Sequence, residues 1–313
     1  MKRWGKFIAH RLVSMAVTML VIITVTFFLL GALPGTPYNN QEKLTARQIE
    51  ILNEKYGFSG APAERYFRYL RNILHGDFGI SLQFSDQPVS KLIGDRLGVS
   101  MRLGLQAVVF GVAVGIVLGA IAAYKRGTWI DTLCSFFAII GRSVPNFVIA
   151  VLGQFIFAIT LNLLPIGLWD QGFRSTILPT IALSISPMAD AARFIRTEMI
   201  EVLSSDYIEL AKAKGLNGFL LVLRHGLRNA LIPLITVLGP LTVSLMTGSM
   251  VVENIFMIPG IGEQFIKSIL ANDYYTIMAM TIIYSALLVF VIFLTDILYQ
   301  LVDPRLRRQE AGG

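Results

Sequence analysis

The 313-residue chain is too apolar for an ordinary soluble domain: 54% of its residues are hydrophobic and only 15% are charged. Charged residues make up about a quarter of an average globular protein, so this composition is typical of a protein with several membrane spans. The net charge of +7 does not indicate nucleic-acid binding, because Lys and Arg gather at the ends of apolar segments, as anionic headgroups favour. The single cysteine, Cys134, excludes a disulfide bond within the chain.

The first apolar segment, at about residues 12–33, follows Lys2, Arg3, Lys6 and Arg11. A signal peptide also has a basic start, but its apolar core is roughly 7–15 residues long and a small-residue cleavage site follows. The segment here is long enough to cross a bilayer. We therefore predict a retained membrane helix with its N-terminus in the cytoplasm.

Residues 34–97 form the least hydrophobic stretch of the chain. Within it, Thr45-x-x-Gln48 predicts one capped helix and Pro62 opens another. The second helix places several side chains on one face at helical spacing: Tyr66, Tyr69, Leu70, Ile73 and Leu74. Two interpretations remain open, an amphipathic helix lying on the bilayer surface or a small extracellular cap that contacts a partner.

Further apolar segments lie near residues 99–123, 130–164, 176–195, 229–252 and 276–301. With the first segment they predict an all-α, polytopic membrane protein with about six spans. Several exceed the ~20 residues needed to cross ~30 Å of hydrocarbon, so we expect tilt or an interfacial portion. We divide the chain into a first helix with an extracellular segment (1–97), a five-helix core (98–303) and a cytoplasmic tail (304–313).

Cationic residues predict the orientation of these segments. They gather in alternate short loops and after the last span: Lys125, Arg126, Arg193, Arg196, Lys212, Lys214, Arg224, Arg228, Arg305, Arg307 and Arg308. The opposite short loops contain only Arg174 and Lys267. Because cytoplasmic loops carry the excess of Lys and Arg, both termini and the loop at about 196–228 are predicted to be cytoplasmic. The long 34–97 segment largely escapes this rule.

A polar, basic stretch between the fourth and fifth spans predicts a short helix, a glycine and a second helix that starts near Asn217. Capping and small residues follow one another in it: Asp206, Glu209, Ala211, Ala213 and Gly215. Asp206 and Glu209 form a capping-box pattern with Asp206 at the N-cap, and Gly215 supplies a left-handed C-cap. By composition alone this is an ordinary basic loop. The order of the residues favours an elbow that fits against another protein.

The pattern Glu209-x-Ala211-x-x-x-Gly215 resembles the E-A-A-x-x-x-G loop of ABC-importer permeases, whose short coupling helix docks into a cleft of the ATPase subunit. Leu210 stands where the first alanine is usual, and Pro233 comes late. This longer spacing resembles the dipeptide and oligopeptide (DppB/OppB-type) permease branch. Other parts that resemble this branch are 76–81, 95–97, 224–233, 253–262 and 303–305, so the resemblance extends over nearly the whole chain.

The resemblance implies a type I ABC-importer permease fold in the cytoplasmic (inner) membrane. It also implies a division of work between subunits. The expected partners are a second homologous permease, two ABC ATPase subunits that hold ATP and Mg, an extracytoplasmic peptide-binding protein and the lipid bilayer. The chain itself is expected to bind no cofactor, metal or nucleic acid. The residues assigned to ATPase coupling are Asp206, Glu209, Leu210, Ala211, Ala213 and Gly215.

The sequence motifs do not indicate that this chain is an enzyme. The sequence contains no P-loop, no His-Glu-x-x-His and no Gly-x-Ser-x-Gly motif, so ATP hydrolysis is expected on partner subunits. A nickel or other small-solute ABC importer is the main alternative to a peptide importer. A secondary transporter with a proton relay through Asp190, Asp296 and Glu253 is disfavoured, because these acids lie at different depths and no inverted repeat is visible.

Arg142 lies about twelve residues, or roughly 18 Å, into the third apolar segment. Charge inside a membrane is costly and usually faces a cavity or a partner, and the nearby proline predicts a bend. One interpretation places Arg142, Ser143, Pro145 and Asn146 along the translocation path, where Arg142 attracts a peptide carboxylate or carbonyl. The other interpretation is an ion pair between Arg142 and Asp190.

The last extracellular loop, residues 253–262, is unusually apolar. Non-helical backbone at membrane depth needs protein or water to satisfy it, so we predict a re-entrant hairpin over the mouth of a cavity. With the resemblance, this loop becomes a candidate gate or binding-protein contact. The residues concerned are Glu253, Asn254, Phe256, Pro259 and Gly260.

One further pattern predicts an ion pair within a helix, and another predicts packing between helices. Asp190 and Arg193 are spaced to pair along one helix. Gly111-x-x-x-Gly115-x-x-x-Gly119 forms a small-residue face that predicts close approach of another helix, within this chain or across a subunit boundary.

Overall fold

The computed structural model describes residues 2–32, 38, 44–84, 86–213 and 226–302. These residues form twelve α-helices, and within them the only β pairing is an isolated bridge between Ile80 and Pro88. The predicted all-α class is therefore confirmed. The helices are α1 Lys2–Ala32, α2 Ala46–Lys55, α3 Pro62–Leu74, α4 Val89–Tyr124, α5 Trp129–Ser143, α6 Asn146–Gly153, α7 Phe173–Leu203, α8 Asp206–Ala213, α9 Arg228–Met246, α10 Met250–Ile255, α11 Ile261–Leu270 and α12 Tyr274–Val302.

Each predicted apolar segment contains a helix. Three helices in the described residues are long and apolar enough to cross a membrane, at Gly5–Ala32, Val89–Tyr124 and Tyr274–Ile297. A fourth is obtained if the bent pair Trp129–Ser143 and Asn146–Thr160 counts as one span. Helices α7 and α9 occupy the fourth and fifth predicted segments; α7 does not meet this criterion, and α9 includes residues outside those to which it was applied. The count of six spans therefore stays a prediction.

The third apolar segment is a broken helix. Helix α5 ends at Ser143, and α6 begins at Asn146 and continues as a π-helical segment, Gln154–Thr160. Between them Val144 is extended, as the ring of the following Pro145 favours. The two parts are bent by 100°, so the predicted bend is confirmed.

The chain is divided into two compact units, residues 1–99 with 260–290 and residues 100–259 with 291–313. In the first unit the predicted helix starts are confirmed. The N–H of Thr45 donates to Gln48 Oε1 (2.8 Å), and the N–H of Gln48 donates to Thr45 Oγ1 (3.3 Å). Pro62 is the first residue of α3.

The aromatic face of α3 packs within the first unit. Tyr66 and Tyr69 are buried, and both rings contact Phe27 of α1. The hydroxyl groups of Tyr66 and Thr24 are hydrogen-bonded at 2.6 Å. The helical spacing predicts Leu74 on the same face, but its side chain is 85% exposed because the helix ends there.

In the second unit, α4 and α7 pack through the glycine stripe. A Cβ atom at Gly111, Gly115 or Gly119 would overlap the carbonyl oxygen of Ser184, Met188 or Ala192, respectively. The residue numbers rise by four on both helices, so α4 and α7 run parallel. The predicted close packing is confirmed, and its partner lies within this chain.

Helix α5 runs antiparallel to α7. Asp131, near the start of α5, contacts Arg196 near the end of α7, and Gly141 faces Ile185 and Ala189. Because α4 and α7 run parallel, the cations at their C-terminal ends gather at one end of this unit. Those cations are Lys125, Arg126, Arg193 and Arg196.

Candidate coupling helix, ion-pair cluster and gate

Helix α8 follows α7 after a turn of two serines. The N–H groups of Ile208 and Glu209 donate to the carbonyl oxygen of Ser205 (3.0 and 3.3 Å). Since α8 begins at Asp206, the N-cap position belongs to Ser205, and the prediction of Asp206 as N-cap is wrong by one residue. The Ser205 hydroxyl donates to the carbonyl oxygen of Val202 (2.5 Å), so it ties the turn to α7.

One face of α8 is exposed and carries two acidic residues, a leucine and an alanine. Its members are spaced by three and four residues and share a face: Asp206, Glu209, Leu210 and Ala213. Leu210 is 58% exposed, whereas Ile208 on the other side of the helix is fully buried. The two acids lie in the first turn, where negative charge stabilises the helix dipole. Ile208 thus holds α8 in place while this face, hereafter the α8 face, is free to contact another protein.

Two further residues predicted to act in coupling are Ala211 and Gly215. Ala211 lies within α8, and nothing beyond its position in the helix is described. Gly215 lies outside the described residues, and so does the second helical pattern near Asn217.

Arg142 is ion-paired with Asp190. Its Nη1 atom lies 2.8 Å from Asp190 Oδ2, which joins the end of α5 to α7. The Arg142 side chain nevertheless remains 60% exposed. The predicted pair between Asp190 and Arg193 is wrong: in the described part of the chain, the ion-pair partner of Asp190 is Arg142.

A second ion pair near the other end of α5 has no signal in the sequence. Arg196 donates from Nε and Nη2 to both carboxylate oxygens of Asp131 (2.6 and 2.9 Å), a bidentate arrangement. The N–H of Gly127 donates to the same carboxylate (3.0 Å). The two residues are 65 positions apart, so no local pattern connects them.

The Arg142–Asp190 pair and Arg196 of the second pair border one cavity of about 240 Å³ between α4, α5 and α7. Arg142 and Ser143 line it, as do Asp190, Arg193 and Arg196. Its wall is therefore rich in positive charge, with Asp190 as the acidic residue of the lining.

The other two predicted path residues shape the break after α5. Pro145 precedes the first residue of α6, and Asn146 Oδ1 accepts a hydrogen bond from the Ser186 hydroxyl of α7 (3.0 Å). The four predicted residues thus lie together at the α5–α6 bend, but only Arg142 and Ser143 border the cavity.

The predicted gate loop is partly helical. Residues 253–255 end α10, and Ile261 begins α11, so the non-helical part is short. Glu253 and Phe256 are buried, and Asn254 and Pro259 are exposed. The Glu253 carboxylate accepts a hydrogen bond from the Ser100 hydroxyl (2.6 Å).

Residues 154–168 hold the backbone of this loop. The N–H of Leu168 donates to the carbonyl oxygen of Phe256 (2.7 Å), and Gly167 packs so closely that a Cβ there would overlap the same oxygen. Gln154 donates to the carbonyl oxygens of Ile166 (2.5 Å) and Ile255 (3.3 Å). Protein groups therefore hydrogen-bond the carbonyl oxygens of Ile255 and Phe256, as the predicted re-entrant loop would require at membrane depth.

No group of three or more His, Cys, Asp or Glu in the described residues is arranged to hold a metal ion. The candidate sites in this part of the chain consist of a docking face, ion pairs and a packed loop. Such groups can bind a partner or a substrate and can change position, but they are not arranged as a catalytic site.

Comparison with known proteins identifies the family. The profile of the "Binding-protein-dependent transport system inner membrane component" family matches residues 115–308, and that of "Binding-prot-dependent transport system membrane comp, N-term" matches residues 4–104. The dipeptide transport system permease protein DppB of Lactococcus lactis subsp. cremoris is 47% identical over 302 residues, which covers 96% of this chain and 99% of the relative.

Two further relatives extend this likeness. DppB of Bacillus subtilis is 41% identical over 98% of this chain and 100% of the relative. The oligopeptide transport system permease protein OppB of Salmonella typhimurium is 38% identical over 96% of this chain and 99% of the relative. The chain therefore belongs to the family of binding-protein-dependent transport system inner membrane components, which are permease subunits and not enzymes.

Proposed function

We propose that this chain is a transmembrane permease subunit of an ATP-driven importer that moves peptides into the cytoplasm. An extracytoplasmic binding protein delivers the peptide, and this subunit forms the path with a second homologous permease. Two ATPase subunits bind ATP and Mg and drive the cycle. The names of the relatives, dipeptide and oligopeptide permeases, favour peptide over the nickel alternative.

The charge distribution supports an orientation with both termini in the cytoplasm. Lys125, Arg126, Arg193 and Arg196 belong to the end of the second unit where α4 and α7 terminate. Cytoplasmic ends of membrane helices carry such an excess of cations. Helix α8 follows α7 directly at this end, which is where an ATPase subunit would be met.

The observation that carries the coupling proposal is the α8 face. An apolar side chain exposed between acidic residues is suited to enter a cleft of a partner, because burying it there removes apolar surface from water. Leu210 would be the anchor, with Asp206, Glu209 and Ala213 around it. Ile208 would transmit force from the docked face to the rest of the chain.

Movement of α8 would be passed to α7. The turn between them is short and hydrogen-bonded, so α7 and α8 are expected to move together. Helix α7 also carries Asp190, the partner of Arg142. A rigid-body movement of α7 therefore alters the Arg142–Asp190 pair and the cavity beside it.

Within the path, Arg142 is proposed to exchange partners. Its guanidinium is largely exposed although it is paired, so a peptide carboxylate can approach it. Ser143 borders the same cavity, while Pro145 and Asn146 fix the bend. The loop that contains Glu253, Asn254, Phe256, Pro259 and Gly260 is proposed to meet the binding protein or close the outer mouth.

Substitution of the α8 face tests this function directly. Leu210→Asp places a charge in the docking position and is expected to weaken ATPase association at least about tenfold, or about 1.4 kcal/mol. Leu210→Ala introduces the residue usual in the resembling loop and removes only apolar contact area, so it should weaken association less than Leu210→Asp does. The measurements are co-purification of the ATPase subunits and ATP hydrolysis stimulated by the loaded binding protein.

Glu201→Ala is the matched control, since Glu201 is exposed near the end of α7 but does not belong to the α8 face. It should leave both measurements unchanged. Equal co-purification and equal hydrolysis in Leu210→Asp and Glu201→Ala would refute coupling through α8.

A further inference from the structure

The first unit contains a cavity of about 510 Å³, within the range of small-molecule sites. Its walls come from the end of α1, the loop after α2, α3, the segment around Gly79 and the start of α12. It is thus separate from the cavity beside Arg142, which lies in the second unit. We call it the cap cavity.

Aromatic rings form much of the wall. Phe58 and Tyr275 are stacked at 5.3 Å between ring centroids, and Tyr69 lies 6.1 Å from Tyr275. Phe27 completes this group at 5.9 Å from Tyr69. Such a wall binds a bulky apolar or aromatic group through its faces and edges.

The lining of the cap cavity contains three cationic and two acidic residues, the acids being Glu54 and Asp77, and two of the cations are engaged. Lys55 is paired with Asp86 (3.3 Å), and Arg68 is paired with Glu64 (3.5 Å). Arg65 instead lies over the Phe58 ring, 5.2 Å from its centroid. No carboxylate of the described residues lies within ion-pair distance of Arg65.

A buried hydroxyl group in the wall also lacks a partner. Tyr69 is only 5% exposed, and its hydroxyl forms no hydrogen bond with any described residue. An unsatisfied buried polar group is costly, so such groups in native proteins call for an explanation. Burial raises the pKa of this hydroxyl, so Tyr69 remains a hydrogen-bond donor across the physiological range.

We propose that the cap cavity binds the carboxylate end of a short peptide whose last residue is aromatic or large and apolar. The carboxylate lies on Arg65, and the last side chain packs against Phe58, Tyr69 and Tyr275. The choice of a peptide rests on the proposed function. The cation without an acidic partner and the aromatic wall are independent of that function.

A membrane lipid offers similar chemistry, an anionic headgroup on an apolar chain. The end of α1 and the start of α12, both candidate spans, contribute to the wall, so lipid could reach the cavity. The peptide is favoured because most of the wall consists of short helices and loops outside the candidate spans. The experiment must therefore separate the two sources.

The test is photo-crosslinking of the full-length chain in phosphatidylcholine nanodiscs without the binding protein. The probe is the tripeptide Ala-Ala-benzoylphenylalanine as the free acid, compared with the same peptide as the C-terminal amide. Adducts are mapped by mass spectrometry in wild type, Arg65→Gln, Arg65→Lys and Arg71→Gln. Arg71 is the matched control, because it is an exposed arginine of the same helix outside the cavity lining.

The acid should label residues of the cap cavity, and amidation or Arg65→Gln should each reduce this labelling about tenfold or more. Arg65→Lys should retain part of it, and Arg71→Gln all of it. Equal labelling by acid and amide, or labelling unaffected by Arg65→Gln, would overturn the proposal. Arg65-dependent retention of phosphatidylglycerol carried through purification from the cell membrane, measured by lipid mass spectrometry, with no peptide labelling would assign the cavity to lipid and also overturn it.

Peptide uptake by intact cells separates this inference from the proposed function. If the wild-type importer accumulates no peptide, the proposed function fails whatever the cavity binds. If uptake is normal but the cap cavity is not labelled, only this inference fails.

Discussion

Gly115 of α4 lies against the carbonyl oxygen of Met188 of α7, and even a methyl group at Gly115 would overlap that oxygen. The same contact recurs one turn earlier at Gly111 and one turn later at Gly119. The repeat sets the register of two parallel helices along about two turns. It also couples α4 to α7, the helix that leads into the proposed coupling helix.

Gly115→Ala is therefore expected to destabilise the protein by about 1–3 kcal/mol through overpacking. Gly94 of the same helix is exposed and has open space around it, so Gly94→Ala should be neutral or stabilising by about 0.5–1 kcal/mol. The apparent Tm of each variant in detergent, followed by tryptophan fluorescence, measures the difference. Equal Tm values for the two variants would exclude tight packing at Gly115.

The bidentate pair between Arg196 and Asp131 predicts that a positive charge at position 196 is not enough to keep the protein fully stable, because both hydrogen bonds contribute. Arg196→Lys keeps the charge but cannot form both hydrogen bonds, so a loss of about 1–3 kcal/mol of stability is expected. Arg193→Lys is the control on the same helix, because Arg193 is exposed and has no ion pair in the described residues; its effect should stay within about 0.5 kcal/mol. Thermal unfolding checks both variants, and similar losses would argue against the bidentate role.

The Arg142–Asp190 pair can be purely structural or can also act in transport, and a double variant separates these roles. Arg142→Gln leaves the Asp190 carboxylate unpaired, so both Tm and uptake should fall. Adding Asp190→Asn removes the unpaired charge and should restore the Tm.

If Arg142 contacts the peptide, uptake in the double variant should remain at least about tenfold below wild type. The measurement is the initial rate of labelled-peptide uptake at matched protein levels. Wild-type uptake and unchanged peptide preference in Arg142→Gln or in the double variant would remove Arg142 from the path.

Gly167 offers a test of the gate loop, because a side chain there would displace the carbonyl oxygen of Phe256. Gly167→Ala is expected to lower peptide uptake several-fold while ATPase subunits still co-purify. The control is Gly153→Ala, whose new Cβ would meet only Leu178 at an ordinary 3.9 Å. Normal uptake in Gly167→Ala would show that the position of the Phe256 segment does not matter for transport.

Features set by neighbouring residues could be predicted from the sequence. The capping box at Thr45 and Gln48, the proline start of α3 and the bend at Pro145 all depend on local backbone chemistry. The predicted N-cap of α8 is one residue late, because Ser205 and Asp206 are both good N-cap residues. The glycine spacing predicts close packing but not whether the partner helix lies in this chain.

Contacts between distant residues could not be predicted in the same way. The pairing of Arg196 with Asp131 and the hydrogen bonds of Gln154 join segments far apart in sequence. The pair between Arg142 and Asp190 is an exception: both charges lie within apolar segments, where a charge needs a partner, so this pair is one of the two predicted interpretations of Arg142, and it is confirmed. For Leu210 the sequence could not show whether the side chain is buried, and its exposure is what makes the α8 face a candidate docking surface.

Uptake of labelled di-, tetra- and hexapeptides, with radioactive nickel in parallel, shows whether this chain carries peptides. Cells that lack this chain are complemented with wild type, Leu210→Asp or Glu201→Ala. If the chain is a peptide permease coupled through α8, wild type and Glu201→Ala restore ATP-dependent peptide uptake and Leu210→Asp does not. Peptide uptake that is unchanged without the chain, or complementation that restores nickel instead of peptide, would contradict this function.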